Sequence, residues 1–296
     1  MFYTPINYDE PLFRPPSEAY SLIFQMTLGC SWNQCAFCDM YTSKKFKARK
    51  EEEVFAEIDK VKGIAVDTRK VFLADGNAFV LSFDRLKRML DKLNQGFPKL
   101  NRISAYALPQ DIMAKSDDEL KQLADSGLKL LYVGIESGDD ELLKMIHKSE
   151  TFDSTKQALN KARKAGIKIS VMILNGLGGK NYSEQHALNS ATLINEIQPE
   201  YLSTLVLSMP YGVGHFQKKF SGEFVQLNTL ELIQEMGLFI KNLALESTVF
   251  RSDHASNYLV LKGILNRDKE ELMHRINEVL LNPDHAGLRP EYLRGL

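Results

Sequence analysis

From Ser21 onward, short apolar runs alternate with stretches of helical spacing, and this alternation restricts the fold more than any other feature of the chain. Strands separated by helices are joined by crossovers, which lays them parallel with the helices outside the sheet. The run Leu22-Ile23-Phe24-Gln25-Met26-Thr27-Leu28 ends in glycine and reads as a buried strand. Glu51 to Val61 follows with helical spacing and acids at its start, where the helix dipole favours them. Further strands are expected at 70–74, 102–107, 129–135, 167–174 and 201–208, with helices at 83–93, 117–126, 152–165, 184–197 and 230–245. The strands are mostly apolar on both faces, as strands covered on both sides are. Six strand-then-helix units predict an α/β fold, a partial (β/α)6 barrel of parallel strands. The expected organisation is an N-terminal arm over 1–20, rich in proline, the barrel over 21–246, and a helical C-terminal extension over 247–296 packed on the barrel. That extension carries a strand near 248–251 and a helix over 268–281.

Lys and Arg total 37 against 38 Asp and Glu, so no global field draws the chain to nucleic acid or to an anionic membrane. The basic run from Lys44 to Lys50 is followed at once by Glu51-Glu52-Glu53 and reads as a solvated face, so nucleic acid is not the expected partner. No run of about twenty apolar residues exists, and the start of the chain lacks the basic and apolar pattern of a secretory signal. A cytoplasmic protein without membrane contact is expected.

The three cysteines, Cys30, Cys35 and Cys38, all fall on one short loop after the first strand, the wrong arrangement for a disulfide framework and a good one for metal ligation. Three thiolates around an iron–sulfur cubane leave one iron without a protein ligand, open to a small molecule. A zinc site or buried thiols would be the alternatives; no histidine lies nearby, and zinc loops usually come as paired knuckles. A three-cysteine loop after the first strand of a partial barrel, with the aromatic Phe37 just before the last cysteine, resembles the radical S-adenosylmethionine (SAM) superfamily. Four residues separate the first two cysteines here, where three is the commonest spacing in that superfamily.

The resemblance implies a [4Fe–4S] cluster on Cys30, Cys35 and Cys38 and SAM bound at its open iron, with Phe37 packed near cluster and adenine. Asp75-Gly76-Asn77 stands where many such proteins have Gly-Gly-Glu, the segment that holds the SAM amino group. Gly76 would allow close backbone approach, while Asp75 or Asn77 could accept from an ammonium; an ordinary Asp-Gly turn is the plain alternative. Gly134-Ile135-Glu136-Ser137-Gly138 is similar to a segment whose acid and hydroxyl suit ribose recognition, although Ser137 or Asp139 would also cap the next helix. Lys148 stands where related segments place an arginine that contacts the SAM carboxylate; a solvated lysine is the default reading. Gly176, in Asn175-Gly176-Leu177-Gly178-Gly179, resembles the fifth-strand motif that supports adenine through its backbone; a plain turn is the alternative. The polar stretch containing Arg251, His254 and Asn257 resembles a tail segment in a small group of single-cluster radical SAM proteins, and a buried hydrogen-bond network is its plainer reading.

The implied activity is reductive cleavage of SAM to a 5′-deoxyadenosyl radical that abstracts hydrogen from a substrate the sequence does not specify. A reducing partner such as flavodoxin or ferredoxin would supply the electron. The absence of further cysteines argues against an auxiliary cluster serving as a sulfur donor. The rival class is a non-catalytic Fe–S or SAM-binding protein, a sensor or electron carrier.

Overall fold

A computed structural model describes residues 5–295; the first four residues of the expected arm, and Leu296, lie outside the described residues. The fold is α/β, a partial barrel of parallel strands with helices between them, and two compact units divide it.

The first unit comprises the chain up to Asn33, Cys38–Val133 and Gln157–Ile169. Its strands β1 (Leu22–Gln25), β4 (Lys70–Ala74), β5 (Arg102–Tyr106) and the greater part of β6 (Leu128–Glu136) lie side by side in that order, all parallel. Val71, Phe72, Leu73 and Ala74 are all buried, so both faces of β4 are covered, and the continuous apolar run reflects this. Helices α1 (Glu51–Val61), α2 (Phe83–Gly96) and α4 (Asp117–Asp125) follow the expected pattern, α4 starting with a capping box formed by Ser116 and Glu119. The short helix α3 (Pro109–Met113) was not signalled by periodicity.

The first apolar run is not one strand. After Gln25 the chain leaves the sheet: the Met26 N–H donates to the Ala74 carbonyl, and β2 (Thr27–Leu28) pairs antiparallel with β3 (Lys47–Ala48). This hairpin brackets the start of the cysteine segment, which leaves β2 through Gly29.

The arm is pinned along β1. Asp9 and the buried Gln25 exchange two hydrogen bonds of 2.8 Å, and the Tyr8 hydroxyl donates to the Ile23 carbonyl. Farther along, the turn Pro16–Glu18 inserts the Glu18 carboxylate, fully buried, among Arg102 (2.7 Å), the Ser104 hydroxyl (3.0 Å) and the Tyr132 hydroxyl (2.6 Å). Ser21 donates to the other oxygen. Burial, then the bond to Glu18, holds the Tyr132 phenol above its ordinary value.

The second unit comprises Gln34–Phe37, Gly134–Lys156 and the described residues from Ser170 onward. Strand β7 (Lys168–Asn175) pairs parallel with β8 (Tyr201–Val206), β8 pairs parallel with β9 (Thr248–Ser252), and β10 (Leu261–Leu265) closes the edge antiparallel to β9. Its helices are α5 (Asp140–Met145), part of α6 (Phe152–Lys164), α7 (Gly179–Ile197), α8 (Val213–Lys219), α9 (Thr229–Asn242) and α10 (Lys269–Leu281). Among the described residues no helix is long and apolar enough to cross a membrane.

The polar tail segment is a hydrogen-bond network. Buried Asn257 accepts from the Val206 N–H (2.8 Å) and donates to the Thr204 carbonyl (2.8 Å) and the Ser252 hydroxyl (3.0 Å). Arg289 then caps the carbonyls of His254 and Asn257 at 2.7 Å each. Burial, with Arg289 adding to it, lowers the His254 imidazole from its ordinary value. Asn257→Leu leaves a backbone N–H and a carbonyl unsatisfied, so a loss of about 2–4 kcal/mol in unfolding free energy is expected. Urea denaturation measures it, and a loss under about 0.5 kcal/mol would show the network to be dispensable.

Candidate active site

In the first unit, the turn after β4 carries Asp75, Gly76 and Asn77, all three placed by the end of a buried strand. Asp75 is wholly buried; its Oδ2 accepts from the Gly29 N–H (3.2 Å) and from Lys44 Nζ (2.9 Å). It thus anchors the residue that immediately precedes Cys30. Burial raises the Asp75 carboxyl above the usual carboxylate range, against the pull of Lys44 and the Gly29 N–H. Lys44 is itself buried, which works against its charge, but its bonds to Asp75 and Asp9 hold its pKa above the ordinary value. Burial and then the neighbouring Asp75 carboxylate raise the Tyr41 phenol. Arg49 makes a two-pronged bond to Glu57 at 2.7 and 3.0 Å. Two cations of the basic run are thus engaged within the fold rather than facing solvent.

Gly76 lies against the base of the cysteine loop. A Cβ there would stand 2.6 Å from Tyr41 Cε2 and 3.1 Å from the Cys30 Cβ, so only glycine fits. Asn77 is fully buried; its amide nitrogen donates to the Ser31 hydroxyl (2.8 Å) and to Asp111, while its Oδ1 has no hydrogen-bond partner.

In the second unit, Glu136 ends β6 with a left-handed backbone, φ 68°, a conformation a non-glycine residue adopts only at a cost. Its side chain is buried; Oε1 lies 3.5 Å from Lys148 Nζ, and Oε2 has no partner. Burial raises this carboxyl above the usual range, with Lys148 pulling the other way. Lys148 is thus not a solvated helix lysine: its side chain is only 5% exposed and is held beside Glu136. Gly134 makes room for the acid, because a Cβ at that position would come within 2.0 Å of Glu136 Oε1.

Ser137 has other obligations. The Leu174 carbonyl lies 3.0 Å from His186 Nε2; a carbonyl only accepts, so Nε2 carries the proton and Nδ1 accepts from Ser137 at 2.8 Å. Ser137 also accepts from the Asp139 N–H, and Asp139 caps α5 through the Leu142 N–H at 2.8 Å. The Gly176 N–H donates to Glu235, which also takes Asn175 Nδ2 and the Ser183 hydroxyl, each at 2.6 Å. Glu235 and His186 organise this strand end, and both were missed from sequence. Each is a polar residue on the buried side of a helix, among Leu232, Ile233 and Met236 in one case and Ala187 and Ala191 in the other. That misplacement is the signal by which they could be found.

Cys30 and Cys38 belong to the first unit and Cys35 to the second; all three are half-buried and none forms a disulfide. Ala36 is anchored by its N–H to the Ile146 carbonyl (2.9 Å). Phe37 packs with it on a cluster that includes Leu142, Leu143, Leu177 and Phe216. Among the described residues no three His, Cys, Asp or Glu side chains are gathered closely enough to hold a metal ion, so the fit of the loop to a cluster is one of donor chemistry: three thiols on one segment.

The family model of the Radical SAM superfamily matches residues 24–191, more than half of the chain. The chain belongs to the radical SAM superfamily. Proteins of that superfamily typically bind SAM and a [4Fe–4S] cluster and are enzymes. The heme chaperone HemW of Bacillus subtilis is 26% identical over 127 residues, 42% of this chain and 34% of HemW. The chain spans about a third to about half the length of the curated relatives it matches. Coproporphyrinogen III oxidase (HemN) of Escherichia coli superposes with a TM-score of 0.57 at 17% identity, over 75% of this chain and 52% of that one. Methylornithine synthase (PylB) gives 0.51 at 16%, over 92% and 83%. These two likenesses show the radical SAM fold alone. Asn77 Oδ1 in the first unit and Glu136 Oε2 in the second are each a buried acceptor of the kind that an N–H or O–H donor of a ligand satisfies, and SAM carries both types of donor.

Proposed function

We propose that this radical SAM enzyme cleaves SAM reductively and uses the resulting radical to abstract hydrogen from a substrate. Cys30, Cys35 and Cys38 would hold the [4Fe–4S] cluster. When bound, the cluster supplies one electron that breaks the sulfur–C5′ bond of SAM, leaving methionine and a 5′-deoxyadenosyl radical, and a reducing protein such as flavodoxin or ferredoxin restores that electron.

The observation that carries this reading is a set of buried, unpartnered acceptors, Asp75 Oδ1, Asn77 Oδ1 and Glu136 Oε2, each at the carboxyl end of a strand. A buried acceptor without a donor costs about 1–3 kcal/mol, a cost a ligand removes by supplying one. Asn77, with Asp75 and Gly76 on the same turn, would receive the amino group. Glu136, with its second oxygen beside Lys148, would receive a ribose hydroxyl. Gly176 and Phe37 would offer backbone and ring surface to adenine, Lys148 would balance the SAM carboxylate, and Ser137 would support Glu136 from the next position.

Reduced, cluster-loaded protein mixed with SAM under argon is expected to form 5′-deoxyadenosine and methionine slowly, even without substrate. Glu136→Ala is expected to keep the cluster and to weaken SAM binding by up to about a hundredfold, the equivalent of the lost acceptor. Cluster-loaded protein that neither binds nor cleaves SAM would overturn the proposal. Binding without cleavage would favour a non-catalytic Fe–S or SAM-binding protein, the reading to which the similarity with a heme chaperone lends support.

A further inference from the structure

Asn77 stands where a carboxylate is the expected acceptor, and an amide has a difficulty a carboxylate does not: it can face a ligand with its oxygen or with its nitrogen. Its surroundings decide which. The Ser31 hydroxyl, 2.8 Å from the amide nitrogen, either donates or accepts and so favours neither orientation. Asp111, also buried, presents a carboxylate oxygen to the same nitrogen, and that oxygen accepts from the amide N–H. The nitrogen must therefore face Asp111, both of its hydrogens are engaged, and Oδ1 is left as the buried atom without a partner.

The placement of Asp111 is itself secured. Buried Lys115, one turn farther on, donates to the Phe79 carbonyl (2.8 Å) and to the Asp111 carbonyl (3.3 Å), with its ammonium 4.3 Å from the Phe79 ring centre. It staples the turn Ala78–Val80, which follows Asn77, to the helix that carries Asp111. Burial lowers the Lys115 pKa to about 8, which marks how far this staple lies from water.

We infer that Asp111 is a positioning residue: it locks the Asn77 amide with Oδ1 outward, so that Asn77 meets the amino group of SAM with its oxygen and not with its nitrogen. The inference rests on the reading of the site proposed above. It makes a specific demand on ligand chemistry, since a ligand carrying an oxygen acceptor where SAM carries its amino group would meet Oδ1 without a donor between them.

The test compares SAM with its keto analogue, in which an oxo group replaces the amino group, by anaerobic titration calorimetry on cluster-loaded protein. Wild type is expected to prefer SAM. Asp111→Leu releases the amide, and its SAM affinity is expected to fall about ten- to hundredfold while that for the keto analogue does not fall. A merely structural role would weaken both ligands alike, and that result, or unchanged SAM binding, would overturn the inference. The exchanged pair Asn77→Asp with Asp111→Asn provides the second arm. Its amide donates to the new carboxylate and leaves one oxygen as acceptor, so preference for SAM is expected to return; loss of preference in this variant would also overturn the inference, whether or not Asp111→Leu folds. Wild type that binds neither ligand would instead overturn the functional reading itself, which separates the two failures.

Discussion

Cys35→Ala is expected to abolish the cluster and, with it, all formation of 5′-deoxyadenosine from SAM. Three thiolates are the minimum this loop provides, and the chain has no other cysteine to substitute for a lost one. The loop should nevertheless keep its place, because Ala36 is held through its backbone to Ile146 and Phe37 through apolar packing, neither of which involves the Cys35 sulfur. Iron and sulfide analysis after anaerobic reconstitution should give about four of each in wild type, as a cubane requires, and far less in the variant. Circular dichroism should be unchanged. A full cluster retained after Cys35→Ala would remove Cys35 from the ligand set, and wholesale unfolding would mean that the loop carries stability the packing does not suggest.

The second large effect concerns the arm. Glu18→Ala is expected to destabilise the protein by about 3–5 kcal/mol, because one buried carboxylate satisfies Arg102, Ser104, Tyr132 and Ser21 together and its removal leaves a cation and three hydroxyls facing a void. Arg102 retains some solvent contact, which places the expected value toward the lower end. Tyr132→Phe deletes two bonds, one to Glu18 and one to the Ser17 hydroxyl (2.7 Å), but leaves the carboxylate in place and should cost only about 1–2 kcal/mol. Denaturant titration with an unchanged slope measures both. A Glu18 variant as stable as wild type would show that the arm merely lies on the surface of the fold.

The strands were legible because burial on both faces writes itself locally: β4 falls at 70–74 as read, and β5 ends one residue short of its expected limit. The split of the first run at Met26 was not legible, since the run Leu22 to Leu28, interrupted only by Gln25 and Thr27, reads the same whether it pairs with one partner or two. Short helices such as α3 and α5 span too few residues to show a period. At the site, Asp75, Gly76, Asn77 and Glu136 were placed by their positions at strand ends. The long-range partners were not, because Asp111 meets Asn77, Lys115 meets Phe79 and Glu235 meets Asn175 across 34, 36 and 60 residues of chain, and nothing in the local sequence records such a meeting. Lys148 shows the same blindness in reverse: a lysine in a polar stretch looks solvated until the fold sets it against an acid.

Gly134 has no functional group, yet the space where its side chain would be is filled by the Glu136 carboxylate. Any larger residue at 134 evicts that carboxylate without altering it, so the two positions form one unit of heredity. Among kindred chains the trace of this acid would be a covarying pair of columns, in which glycine two residues upstream is the tolerant partner and its loss releases the acid from constraint.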